Sequence, residues 1–387
     1  MSENKRPKII RTATVPMSLD LFCRGLFRAF SKEYEMIALS SPLPELERIG
    51  RREGVRTIAV PIKRKIAPLS DLVSLFRLIR VFRKEKPDMV HSITPKAGLL
   101  SMMAAWVARV PVRIHTFTGL IFPYEESWKR HLLRLTDWVT ARCATHVIPE
   151  GQGVMNDLVS HGVTKKTMRV LGNGNVRGID LDYFQCAPIV RNKAKMLRES
   201  FGIPEDTFVF LFVGRFDLDK GLKELVRSFV RINMEMPETA LLLAGMEEEE
   251  GKKLPDDILD TIESNPAIHV SGGWLSDVRH WYAAADALVH PSYREGFPNV
   301  VIEAGAMGLA SIVTDINGSN EIIIDGENGV IVPPRDEESL YREMRSFVLD
   351  RERVRNLASS ARPSVAERFR LRYVRQCLLD YYKEVLG

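Results

Sequence analysis

The stretch EGFPNVVIEA places two carboxylates, Glu295 and Glu303, eight positions apart, with a glycine, a proline and an asparagine between them. An apolar run, ALVHPS (287–292), precedes it and small residues follow, so it reads as a strand, a loop and a helix that opens near Pro298 or Asn299. Glu295 stands before the bend and Glu303 inside the first helical turns. The bend therefore sends the two carboxylates toward different parts of one elongated ligand. A carboxylate accepts two hydroxyls of a ribose or hexose well. An acid and base pair acting on one glycosidic bond would need both groups beside that bond, which this spacing does not support. The amides at the helix start would suit a phosphate.

A second stretch, VGRFDLDKGL (213–222), ends a strand at Gly214, brings Arg215 and Lys220 close through a turn, and opens a helix at Gly221. Two cations beside a helix N-terminus favour bound phosphate, because guanidinium, ammonium and unpaired amides can all donate to one anion. The alternative is a surface turn. The same segment holds Asp217-Leu-Asp219, and Asp180-Leu-Asp182 occurs earlier. With Arg215 and Lys220 already supplying positive charge, both Asp pairs are read as turn residues and no metal site is expected.

These stretches are set on a regular scaffold. Strand-like runs at 8–14, 35–41, 55–60, 88–93, 112–117 and 145–149 alternate with helical patterns, among them Leu72–Lys86, Lys96–Arg109 and Trp128–Arg142. The second half repeats the theme, with strands at 208–214, 240–245, 267–272, 287–292 and 310–315. Its helices are Leu222–Met236, Asp277–Ala285, Asn299–Met307 and Glu337–Leu349. Fully apolar strands alternating with helices predict parallel sheets covered on both faces. The chain is thus expected to be α/β, with two Rossmann-like doubly wound domains, residues 1–185 and 186–363, linked through 172–190. A long helix from about 364 to 387 follows Pro363 and is expected to pack back on the first domain. In such a fold ligands sit at the carboxyl ends of strands, here in the cleft between domains.

The chain has 387 residues, too many for one core of usual size. Its four cysteines are scattered, which gives neither a disulfide framework nor a zinc knuckle and suits a reducing cytoplasm. MSENKRPKII lacks a following apolar region, so no signal peptide is expected, and Gly98–Val110 is too short to span a bilayer. The net charge of +5 hides an asymmetry. Residues 1–182 carry 30 Lys and Arg against 17 Asp and Glu, or +13, and the remainder carry 25 against 33, or −8. Either the solvated surface charge is uneven, or a basic face meets anionic lipid or a phosphorylated substrate. PIKRKIAP (61–68) and YEESWKRHLLRLTDW (124–138) mix basic with apolar residues, as a membrane-surface segment or a core or dimer helix would. No nucleic-acid reading module is present.

Taken together, EGFPNVVIEA, VGRFDLDKG and INGSNEIIIDGENGVIVPPRD (316–336) resemble the retaining glycosyltransferases of family 4, over essentially the whole chain. VHSITPKAGLLSMMAAWVARVP (90–111) is similar to the subgroup that acts in bacterial capsule, O-antigen or lipid-linked oligosaccharide synthesis. The resemblance implies a GT-B fold and transfer of a sugar from a nucleotide diphosphate, a UDP-sugar first among them, to a polyprenyl-diphosphate-linked or other saccharide acceptor. It implies no metal cofactor and a peripheral place on the cytoplasmic membrane face. Arg215 and Lys220 would hold the diphosphate and neutralise the leaving group, with Glu295 meeting the transferred sugar. Glu303 would take the ribose hydroxyls. Gly214, Gly296, Phe297, Pro298, Asn299 and Val300 would line sugar and phosphate, and Gly245 and Trp274 would lie near the base.

One departure stands out. The family commonly has a histidine before the glycine that follows the fifth strand; here the stretch is RIHTFTGL, with Thr118 before Gly119 and His115 three residues earlier. Either Thr118 takes over hydrogen bonding, or His115 is displaced toward the cleft, or His115 is a core residue on the same strand face as Phe117. Lys96, in TPKAG, would meet an acceptor pyrophosphate or be an exposed helix-start lysine. Two other readings stay in view: a nucleotide-sugar epimerase, and a silent adaptor of a polysaccharide assembly. A dinucleotide oxidoreductase is disfavoured, since neither domain opens with G-x-G-x-x-G.

Overall fold

The computed structural model describes residues 6–247, 252–273 and 275–387. It divides the chain into two compact units, residues 1–178 with 372–387, and residues 179–371. The first holds six strands, β1 (Lys8–Thr12), β2 (Glu35–Ser40), β3 (Arg56–Ala59), β4 (Met89–Ser92), β5 (Val112–Phe117) and β6 (His146–Pro149). They pair in the order β3-β2-β1-β4-β5-β6, all parallel. The second holds β7 (Phe208–Val213), β8 (Thr239–Ala244), β9 (Ile268–Val270), β10 (Ala287–His290), β11 (Ala310–Thr314) and β12 (Gly329–Val332). Their order is β12-β11-β10-β7-β8-β9, again parallel, so both sheets share one doubly wound topology.

Side-chain alternation explains why each sheet is covered twice. In β1, Ile9 and Ile10 point into opposite cores. In β7, Phe208, Phe210 and Phe212 fill one core while Val209 and Leu211 fill the other. Phe210 is fully buried, and replacing such a side chain by alanine costs about 3–5 kcal/mol.

The order reverses between β1 and β4 in one sheet and between β7 and β10 in the other. At such a switch point the connections leave in opposite directions and open a crevice at the carboxyl ends of the two strands. The loops that follow β7 and β10 are those of VGRFDLDKGL and EGFPNVVIEA.

Three details differ from the sequence reading. The boundary falls at 178/179, inside the expected linker but ahead of 185/186. Pro363 does not start the last helix; it lies within Arg351–Phe369, and a separate helix, Leu371–Leu386, follows. The break is at Arg370, whose extended backbone lets Ile179 pair with both flanks: Ile179 N–H donates to Phe369 O at 2.9 Å and Leu371 N–H to Ile179 O at 2.8 Å. β12 is a strand that the apolar alternation does not flag, because it has four residues, opens with glycine and sits in a stretch rich in turn formers. Helices 16–23, 26–30, 44–53, 152–160, 188–200 and 256–264 also join the framework.

Candidate functional site

In the second unit the two loops at the β7–β10 switch point are locked together. Asp217 caps the one-turn helix Leu218–Lys220 by accepting from Asp219 N–H at 2.9 Å, and accepts from Lys252 N–H at 3.1 Å. Asp219 receives Lys252 Nζ and Arg294 Nε, each at 2.9 Å. Burial would raise its pKa, but these two cations hold it below the usual carboxylate range. Tyr293, beside Arg294, donates to Glu224 at 2.5 Å. Asp217 and Asp219 are thus turn-forming residues with committed carboxylates. Asp180 has the same role, accepting from Asp182 N–H at 3.0 Å and Tyr183 N–H at 3.2 Å.

This framework sets Lys220 against Glu295. Glu295 Oε1 accepts from Lys220 Nζ and from His290 Nε2, the latter at 3.1 Å. No described residue engages Oε2, which is therefore available to a ligand hydroxyl. The Lys220 and Glu295 side chains are 16% and 17% exposed. Burial alone would raise the Glu295 pKa; the Lys220 charge and the His290 hydrogen bond outweigh it and hold the carboxyl well below its ordinary range. Glu295 is accordingly a permanent anion and hydrogen-bond acceptor at neutral pH and a poor proton donor.

His290 was not among the residues singled out from the sequence. It ends β10, is buried to 1% and stacks on Phe212 at 6.4 Å. Its Nδ1 is buried without a partner, so the proton sits on Nε2 and points at Glu295. A histidine closing an apolar central strand five residues before a glutamate was the available signal.

Glu303 lies on the helix Asn299–Ala306 and is buried, and Tyr282 O–H donates to its Oε2 at 3.1 Å and to Val300 O at 3.3 Å. The bend does separate Glu295 from Glu303, which have different partners. Phe297 is an anchor, packed edge-on against Phe369 at 5.6 Å, so its side chain holds the loop from below. Pro298 caps the helix that Asn299 opens. Gly318 of the INGSNE loop presses on Gly296 and Phe297: a Cβ there would lie 2.6 Å from both Gly296 O and Phe297 Cα. Any side chain at 318 would push EGFPN out of place. Gly245 is likewise confined, since a Cβ would run into Gly214 O. Arg215 follows Gly214 directly and is exposed. Trp274 lies outside the described residues.

In the first unit both Lys96 and His115 have partners within the protein. Lys96 is not an open helix-start cation; its Nζ is taken by Lys65 O and by Asp71 Oδ1, the latter at 2.8 Å. His115 is a core residue and not a displaced ligand. It is 2% exposed, shares a hydrogen bond with Ser92 Oγ at 2.8 Å, and meets Phe117 edge-on at 4.5 Å. Its ring fills the space over Gly98, where a Cβ would clash, and burial drives its pKa down to about 3. Thr118 and Gly119 rim a small recess at the carboxyl end of β5.

The comparisons with known proteins agree with this construction. Residues 194–363 match the family described as Glycosyl transferases group 1, and residues 22–174 match the Glycosyl transferase 4-like domain. A capsular polysaccharide biosynthesis glycosyltransferase, CapM of Staphylococcus aureus, is 30% identical over 383 residues, 99% of this chain and 98% of its own. The chain belongs to glycosyltransferase family 4. An Escherichia coli UDP-Gal:alpha-D-GlcNAc-diphosphoundecaprenol alpha-1,3-galactosyltransferase is 29% identical over 307 residues, covering 76% of this glycosyltransferase and 74% of that one. Among solved structures, Anabaena HepE in complex with UDP and glucose superposes with a TM-score of 0.82 at 17% identity, covering 98% of this chain and 99% of its own. That likeness fixes the fold as GT-B. Among the described residues of this family-4 enzyme, no helix is long and apolar enough to cross a membrane.

Proposed function

We propose that this glycosyltransferase moves a hexosyl or N-acetylhexosaminyl group from a UDP-sugar to a polyprenyl-diphosphate-linked saccharide during bacterial surface polysaccharide synthesis, with retention and without a metal. The observation that carries the reading is the Lys220–Glu295–His290 cluster at the β7–β10 switch point. It offers what a sugar diphosphate needs: a cation for the leaving phosphate and, on the same residues, a fixed anion for sugar hydroxyls. The whole-length likeness to CapM supports the polysaccharide setting, and the lipid-diphosphate acceptor in the E. coli relative's name supports the acceptor class.

In the proposed reaction the bond from the anomeric carbon to the diphosphate oxygen breaks as the acceptor oxygen adds on the same face. The acceptor proton passes to the leaving diphosphate, which departs as UDP. Arg215 and Lys220 stabilise the charge that grows on that phosphate. Glu295 orients the sugar and does not serve as acid, because its proton affinity is too low at neutral pH. Glu303, set by Tyr282, takes the ribose. UDP release that requires both a UDP-sugar and a polyprenyl-diphosphate saccharide tests the reading; conversion of the UDP-sugar without acceptor would instead mark an epimerase.

The same reading places the enzyme on an anionic membrane surface. In the first unit, helices Pro68–Glu85, Pro95–Val107 and Ser127–Cys143 lie side by side and leave Leu69, Phe76, Trp106 and Trp128 exposed by 60–84%. Exposed Lys63, Arg64, Lys65, Arg130 and Arg134 accompany them. Apolar side chains mixed with cations suit anionic headgroups. Co-sedimentation with phosphatidylglycerol vesicles, lost on Leu69→Ser with Phe76→Ser, is the expected result; equal binding to neutral vesicles would count against it.

A further inference from the structure

Asp137 is an ionisable group that the proposed chemistry leaves unused. It sits on the helix Ser127–Cys143, on the face that also carries Leu133, Thr140 and Ala141. That face turns inward: Thr140 and Ala141 are 1% exposed, and Leu133 packs on the core. The outer face carries Trp128, Leu135 and Trp138. A carboxyl on the inner face should find a cation or a hydrogen-bond donor, since burial without one is costly. Asp137 has neither among the described residues. Burial alone raises its pKa to about 7.

What Asp137 faces is a recess. It is shared with Pro95, Thr118, Gly119, Leu133 and Thr136 and opens where β5 ends, at the end of the sheet where parallel-stranded folds bind ligands. A carboxyl accepts and, when protonated, donates; threonine hydroxyls do both, and Pro95 and Leu133 supply apolar surface. That is the chemistry of a site for one polar substituent on an otherwise apolar sugar edge.

We propose that this recess is a subsite for a saccharide hydroxyl or acetamido group, with Asp137 as its hydrogen-bonding partner and specificity-determining residue. The proposal rests on the transferase reading above and deepens it. The group comes either from the transferred sugar of the donor or from the acceptor saccharide; the chemistry is shared and the kinetics separate the two.

The test compares wild type, Asp137→Asn and Asp137→Leu as purified full chains. Steady-state rates are measured with a panel of UDP-sugars and with undecaprenyl-diphosphate-GlcNAc, and melting is followed at pH 8. Asp137→Leu is expected to melt at or above the wild-type temperature, because a half-buried carboxylate without a partner is gone, yet to raise one KM about tenfold. A rise in donor KM assigns the subsite to the transferred sugar, and a rise in acceptor KM to the acceptor. Unchanged values for both substrates, or lower melting temperatures in both variants, overturn the proposal. A wild type that turns over no UDP-sugar defeats the transferase reading instead. Saturation-transfer spectra with methyl α-glycosides of glucose, galactose and N-acetylglucosamine then decide this one. Signals in wild type that vanish in Asp137→Leu uphold the subsite, and no signals in either overturn it.

Discussion

Replacing Lys220 by methionine keeps the length of the side chain and removes its charge, leaving Glu295 with His290 alone. At contact distance, with the effective dielectric that suits partly buried pairs, two unit charges attract by about 4 kcal/mol before desolvation is charged against them. Removing one partner of a fully buried pair costs about 3–5 kcal/mol, because the other charge is stranded. Here each side chain retains about one-sixth of its exposure and His290 remains bonded, so about 2–3 kcal/mol is expected for Lys220→Met. Glu295→Gln with Lys220→Met strands no charge, so the double variant should recover about 2 kcal/mol relative to the sum of the singles. Urea denaturation of the four proteins gives that coupling directly. The sign with pH follows from the depressed carboxyl. The contribution of Glu295 is fully present above its ordinary value of 4.5 and is lost as pH falls toward its folded value, so the cost of Lys220→Met should shrink below about pH 4.5. Additivity within about 0.5 kcal/mol, or a cost that does not change with pH, would refute the clasp as described.

Two further perturbations test the first unit. Tyr382 hydroxyl bonds Arg11 at 2.8 Å and His91 Nδ1 at 2.6 Å, so Tyr382→Phe should cost about 1–3 kcal/mol in urea denaturation; an unchanged midpoint would contradict this role for the last helix. Glu85 is held down to about 2, first by its hydrogen bond to Arg56 and then, against burial, by Lys8. The stability it adds is present above 4.5 and lost as pH falls toward 2, so melting curves of wild type and Glu85→Gln should differ at pH 6 and converge by about pH 2.

Much of this was legible because both sheets are parallel and covered twice. Runs such as FVFLFV and ALLLA leave no polar face to confuse the period; GRFDLDKG follows the first of them directly, and EGFPN follows the equally apolar start of β10. The Glu295–Lys220 contact arises only through the β7–β10 adjacency, which is a matter of strand order and not of local sequence. His290, Tyr282 and Gly318 escaped notice for the same reason: each acts through a partner on another loop. Lys96 misled because a lysine at a helix start looks exposed until Asp71, 25 residues earlier, is brought beside it. His115 had a displaced and a core reading, and its burial against Ser92, Phe117 and the bare Gly98 decides for the core. Pro363 marked no helix start: it stands at an exposed position inside Arg351–Phe369, a helix anchored by buried Ala361 and Val365 on either side of it in sequence.

The most direct test of the central claim is UDP release measured over a panel of UDP-sugars, with and without polyprenyl-diphosphate saccharides, in wild type and Arg215→Ala. Release is expected to depend on the lipid-linked acceptor, to accompany an α-linked product and to fall at least about a hundredfold in the variant. Release of equal rate without acceptor, or a variant as active as wild type, would contradict it.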